Sequence, residues 1–412
     1  MVPIKMLKSA FNLKWNQILA NPFFIYAFAF LGALFLYELK WINYPKLSPD
    51  VYIFIISTVI ISIIIGLYVK IPNHISVVFG INQNYLFKTT LVFFIISSIG
   101  FIITFIDSGT LFGKILFSDI PINYKNYNGI KFFTRIVKVI HAAVFIFSFH
   151  FYLTFRDKRY LWIIFLGFIP VLLLFNRLYA AYIIIPSFFI FLFHINFKFK
   201  KVLFLLSVSF IILSFIFGII GNYREQAKIK KEDTHLFYKL DVKNYPQWLP
   251  KDFIWVYFYI SSPIGKFEYT VEDQSINRKE NDYIGLVTNA LLPGSLGARL
   301  GTLFKVESRE SVYKYPGYYV GTVYRDAYYY AHWNGVIITF LVLCFFMFFA
   351  LFILKRKNMF WIGIPLISQL NTMMFFSPFG NVLLMTTPMF TLYVVVLFTN
   401  ILQKFTKARL RF

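Results

Sequence analysis

Long apolar runs recur along the chain, each about the length a helix needs to cross a bilayer, and short polar breaks separate them. The pattern predicts an all-α polytopic membrane protein with about ten transmembrane helices. They fall near 22–39, 51–69, 88–106, 133–155, 160–176, 178–195, 201–220, 327–353, 359–377 and 380–402. With the N-terminus placed inside, the inner segments carry 18 basic residues against one acid, Asp157, while the other side carries 23 basic and 17 acidic residues. The short inner loops "RDKRY", "NFKFKK" and "LKRKN" follow the positive-inside rule, so both termini are expected in the cytoplasm. Lys5, Lys8 and Lys14 precede the first apolar run, and no small-residue cleavage pattern follows it, which predicts an uncleaved first span.

Two breaks on the outer side are long. One covers 107–132. The other, from Gly221 to about Asp326, holds 13 of the 18 acidic residues with 15 basic ones and many Tyr and Trp. Linkers of that length are rarely so aromatic, so this stretch is expected to fold. The chain divides accordingly into a membrane domain at 1–220, an outer loop domain at 221–326 and a second membrane domain at 327–412. Within the loop, "IGLVTNALLPGSLGARLGTLF" (284–304) is apolar enough to lie on the membrane or dip into it.

Composition agrees with this picture: of 412 residues, 58% are hydrophobic and 14% charged, with a mean hydropathy of +0.66. Cys344 is the single cysteine, which excludes an internal disulfide and makes a Cys-based metal site implausible. The net charge of +23 is spread over many short loops without a basic domain, which argues against a nucleic-acid partner. There is no P-loop, dinucleotide fingerprint or HExxH, and no Asp-x-Asp pair suited to a divalent cation beside a diphosphate. A mechanism without metal or cofactor is the expectation.

Several cations collect at the outer ends of the spans. Arg177 lies in "VLLLFNRLYAAYIII", in a very short turn between two apolar runs, where an arginine is costly unless it has a task. Arg224 in "GNYREQ" follows the seventh span, and Arg325 in "GTVYRDAYYYAHWNG" precedes the eighth. Arg135, Lys138 and His141 fall at i, i+3 and i+6 near the start of the fourth. The guanidinium matches phosphate oxygens two-pronged and stays charged, and a lipid-borne pyrophosphate sits at this level. Arginines at span ends also snorkel to ordinary phospholipids, the plainer reading for Arg135 and Lys138. His332 and Asp326, flanking the eighth span, are the candidate proton acceptors, with Glu268 in "GKFEY" behind them. The outer aromatics suit a sugar-binding cleft as well as interface anchoring.

The arginine in "FNRLYAAY", then "GIIGNYREQ" opening a large outer loop, "WVYFYISSPIGKFEY" inside it and "GYYVGTVYRDAYYYAHWNG" at its end form a pattern. It resembles the oligosaccharide repeat-unit polymerases of bacterial surface polysaccharide synthesis, the O-antigen polymerase (Wzy) family. The resemblance implies a GT-C-like membrane glycosyltransferase in the bacterial inner membrane, with its active site on the outer face. Such an enzyme transfers the growing glycan from undecaprenyl pyrophosphate to the next undecaprenyl-pyrophosphate-linked repeat unit, often beside a polysaccharide chain-length regulator. It implies pyrophosphate binding by Arg177, Arg224 and Arg325, and places Tyr259, Tyr324 and Arg135 among substrate-binding residues. Where many members carry an acid, an aromatic and a glycine before the next span, this chain has "AHWNG". Two other readings stand beside it: an O-antigen ligase, whose histidine-led motif "HWNG" echoes, and a non-enzymatic lipid-linked oligosaccharide flippase.

Overall fold

The computed structural model describes residues 20–69, 71, 83–107, 130–174, 176–194, 240–277, 280–306, 320–355 and 360–409, with isolated positions in 18 and 204–218; the side chains of Lys131, Arg177, Asn277, Leu354, 360–362 and 398–409 are excepted. Among those residues the regular elements are all helices, joined by turns and loops, with one isolated bridge between Ile42 and Val242 and no strand. We label the helices α1 (Pro22–Glu38), α2 (Pro49–Tyr68), α3 (Gln83–Asp107), α4 (Lys131–Phe155), α5 (Arg159–Leu173), α6 (Arg177–His194), α7 (Ile254–Glu272), α8 (Tyr283–Leu286), α9 (Gly294–Leu303), α10 (Val323–Lys355), α11 (Phe360–Phe376) and α12 (Thr386–Arg409). Helices occupy nine of the ten expected spans; the segment 201–220 lies outside the described residues apart from isolated positions. Among the described residues, four helices, α2, α3, α4 and α10, are long and apolar enough to cross a membrane. α1, α5, α6 and α12 contain shorter apolar stretches. The protein is a helical membrane protein.

Local chemistry sets the helix ends. Asn21 caps α1 by accepting from the Phe23 N–H, and Pro22 follows where a missing N–H costs nothing. The same Asn21 amide donates to the carbonyls of Gly66 and Val69, tying the start of α1 to the end of α2. Asn176 caps α6 by accepting from Tyr179 N–H. Asp157 accepts from Arg159 N–H and pairs with its guanidinium at 2.7 Å, so it serves the turn between α4 and α5.

The core is aromatic. Tyr26, Phe30, Phe151, Tyr160, Phe267 and Tyr324 are fully buried. Ile53, Ile60, Ile64, Leu341, Phe345 and Phe352 remain exposed on α2 and α10, as lipid-facing positions do. α7 lies against α1: Gly265 meets the Tyr37 ring, and Ser261 bonds the Tyr44 hydroxyl at 2.8 Å.

Two elements differ from the expected spans. The tenth starts at Thr386 rather than near 380, because 377–385 folds into hydrogen-bonded turns in which the Asn381 side chain caps Leu383 and Leu384. The eighth, expected as one straight helix over 327–353, begins at Val323 and breaks at Ala331 and His332, whose φ/ψ are −143°/29° and 47°/−142°. The first half, 323–330, turns sharply against the second. The Ala327 carbonyl would lie 2.3 Å from a Cβ on Gly335, whereas eight residues of straight helix would separate them by about 12 Å. Gly335 is what lets the corner close.

The stretch at 284–304 forms a hairpin. α8 runs into a π-helical turn, Val287–Leu291, and α9 returns after Leu292 and Pro293. Asp282 N–H donates to the Tyr330 carbonyl at the open end. At the tip, Gly294 N–H donates to Leu384, and the Asn381 amide to Ala290. The hairpin thus runs from the corner of α10 to the turn between α11 and α12. Ile284, Val287, Leu296 and Leu303 stay exposed along it.

Candidate functional site

The half-helix 323–330 carries Arg325 and Asp326 to the centre of this assembly. Its first turn is anchored by Val323 N–H to the Ser377 carbonyl and by Tyr324 N–H to the Thr322 hydroxyl. The stem of Arg325 crosses Gly321 so closely that a Cβ there would stand 2.4 Å from its Cδ. Arg325 Nη2 pairs with Asp326 Oδ1 at 2.9 Å, and Asp326 Oδ2 accepts from the Asn381 amide at 3.1 Å. Both carboxylate oxygens are therefore engaged. Arg325 Nε is buried with no hydrogen-bond partner among the described residues.

Lys266 joins them from α7. It is 4% exposed, and burial together with the Arg325 charge pulls its ammonium down to about 8, with Asp326 pushing the other way. Lys266 is buried and the Arg325 side chain is 16% exposed, so two cations stand within electrostatic reach of each other and of Asp326, largely out of water. Tyr259 lies on the same face of α7, two turns away and half-exposed.

Two residues along α7 from Lys266, the chemistry inverts. Glu268 is fully buried; its Oε2 accepts from the Ser48 hydroxyl at 3.2 Å, and its Oε1 has no partner among the described residues. Burial raises its carboxyl above the usual range. Glu272 and Asp50 push the same way, and the Ser48 hydrogen bonds oppose them. Tyr328 lies within electrostatic reach of both Asp50 and Glu268, and its ring meets His332 at 5.6 Å and Trp333 at 5.5 Å. Phe267, between Lys266 and Glu268 in sequence, packs on Tyr324, Tyr328 and Trp333. An aromatic wall therefore separates a cationic side from an acidic one.

Other residues singled out in the sequence fall elsewhere. Tyr324 is fully buried, its hydroxyl shared with Tyr26, which in turn bonds Thr58, so it belongs to the core. Arg135 is exposed on α4 beside Lys138. Lys138 Nζ lies 6.0 Å from the Tyr179 ring, and Tyr179 donates to the Lys138 carbonyl. Arg177 opens α6 two residues before Tyr179, which sets its backbone at the level of Lys138; its side chain is not described. Arg299 stacks over Phe132, one helical turn from Arg135. Arg135, Lys138 and Arg299 thus form a second cationic group, carried by α4 and α9. Arg224 lies outside the described residues.

No protein-family model, curated protein or solved structure matches this chain. Its function is therefore argued from the site.

Lys266, Asn381 and Arg299 had not been singled out as site residues from the sequence. Lys266 carried a signal: a lysine in the "ISSPIGKFEY" helix, within the stretch 261–268 that turns out buried throughout. Asn381 carried none beyond following Gly380.

Proposed function

We propose that the chain is a polymerase of lipid-linked oligosaccharide repeat units. It would transfer a glycan from a prenyl diphosphate to the sugar of a second lipid-linked unit, on the outer face of a bacterial cytoplasmic membrane. The observation that carries this reading is Lys266 within electrostatic reach of Arg325, whose buried Nε has no hydrogen-bond partner among the described residues, both held beside Asp326 and Asn381. Two neighbouring cations suit a ligand with more than one negative charge, and a guanidinium suits phosphate oxygens in particular.

In this reading Lys266 and Arg325 hold the diphosphate, with Arg177 and Arg224 further along its path. The acceptor hydroxyl oxygen bonds to the anomeric carbon as the carbon–oxygen bond to the diphosphate breaks. The leaving diphosphate keeps that electron pair, and its new charge is met by the cations. The hydroxyl proton passes to His332. Asp326, with both oxygens engaged, orients Arg325.

Two outcomes test the frame. A cysteine placed at the exposed Asn244 is expected to react with a membrane-impermeant maleimide in intact spheroplasts. Labelling only after lysis would reverse the orientation and end this reading. Purified protein should elongate lipid-linked repeats in excess EDTA. Among nearby acids, Asp273 caps Ser275 and Asp282 caps Gly285. Activity lost to the chelator and restored by magnesium would place a cation in the reaction.

A further inference from the structure

The cationic pocket accounts for the leaving diphosphate and says nothing of where the second substrate is held. On the acidic side of the aromatic wall a groove of about 430 Å³ opens, lined by Asp50, Ile53, Phe54, Ser57 and Trp333. Its polar groups are a carboxylate and a hydroxyl seven residues apart on α2, which puts both on one helix face. Its rings are Phe54 and Trp333, 5.7 Å apart, and Trp333 is braced from behind by Phe267 and Tyr328. Trp333 directly follows the broken-helix residue His332, so the groove is built at the corner of α10.

From this arrangement we propose that the groove between α2 and the corner of α10 binds the acceptor saccharide, with its ring stacked on Trp333 and its hydroxyls on Asp50 and Ser57. The proposal rests on the polymerase reading for the word acceptor, but the chemistry of the groove is its own. Few polar groups set on an apolar, aromatic floor are the means by which sites grip a ligand that is polar at its rim and apolar on its faces. Charge decides against the alternative occupant. Asp50 lines the groove and Glu268 lies close behind it, so a phosphate placed there would meet carboxylates, whereas sugar hydroxyls donate to them. The groove also opens toward the exposed side of α2, where Ile53, Ile60 and Ile64 follow one another along the helix. A saccharide held at Asp50 can therefore keep its lipid in the bilayer. Its hydroxyl would face the residue next to Trp333, His332.

The test uses the full chain in nanodiscs with two separate probes. One is the oligosaccharide released by mild acid from the host's own surface glycan, followed by saturation-transfer NMR. The other is geranyl diphosphate, which carries no sugar, followed by calorimetry. Trp333→Leu, Asp50→Asn and Ser57→Ala are compared with wild type; Asp50 and Ser57 are exposed, so their variants keep the fold even where the tryptophan variant does not. The expected result is saccharide binding weakened by about tenfold or more in Trp333→Leu and Asp50→Asn, with geranyl diphosphate affinity unchanged. Saccharide binding that is absent from wild type, or equal in all the variants, overturns the groove and leaves the diphosphate site standing. Wild type that binds the saccharide but not the diphosphate overturns the polymerase reading and leaves the groove.

Discussion

Arg325→Ala is expected to lower glycan transfer by about 10²–10³-fold, the usual effect of losing one preorganised donor to a developing anion. The protein should remain folded, because Asp326 keeps its bond to Asn381 and stays within reach of the Lys266 charge. Arg325→Lys should fall between, since a point charge replaces the charge but not the two-pronged geometry. A second readout separates a ligand-binding arginine from a structural one. Lys266 is cationic below about 8 and neutral above, so geranyl diphosphate affinity in the wild type should fall as pH rises through that value. The Arg325 charge is one of the two causes that depress Lys266; burial, the larger, remains in the variant. The midpoint should therefore move upward in Arg325→Ala, toward the ordinary lysine value. Calorimetric titrations across the pH range check this. A midpoint that stays in place would show that the two cations do not serve one ligand.

How far the sequence foretold this site depends on the physical signal each residue left. The apolar runs of α2, α3 and α4 were bounded by charges and prolines, so their helices fall within a few residues of expectation. The break in α10 was hidden. "AYYYAHWNGVIIT" has no proline, and its one glycine, Gly335, reveals its role only when the Ala327 carbonyl is seen against it. Arg325 and Asp326 were visible as charges next to an apolar run, but their sequence neighbours suggested a span end rather than the inside of a folded corner. Glu268 stood out in "GKFEY" as a spare carboxylate, but Lys266 beside it did not, and nothing in the sequence says that α7 turns one toward cations and the other toward acids. That sorting comes from packing against α1 and α10, which no local pattern encodes.

The Asp326 carboxylate also bears on which group takes the proton. With Oδ1 on Arg325 and Oδ2 on Asn381, both of its oxygens are already engaged, which favours His332. That histidine sits at φ 47°, ψ −142°, a backbone region that in practice belongs to glycine. Holding it there costs about 1–3 kcal/mol. The bare corner would be satisfied by glycine, so a side chain kept there at that cost points to a use for the imidazole. His332→Gly is therefore expected to stabilise the protein by about 1–2 kcal/mol, the strain released less the greater freedom of the unfolded glycine chain. The same variant should lose transfer by about 10²–10⁴-fold, the usual contribution of a general base. His332→Gln retains the strained backbone without an equivalent base, so it should lose the rate with no gain in stability. Thermal unfolding in detergent and initial rates at matched expression read the two effects separately. A glycine variant with near-normal rate would move the base to Glu268, whose Oε1 has no hydrogen-bond partner among the described residues. A glycine variant less stable than wild type would show that the Tyr328–His332 ring contact holds the corner, and that the histidine is there for packing.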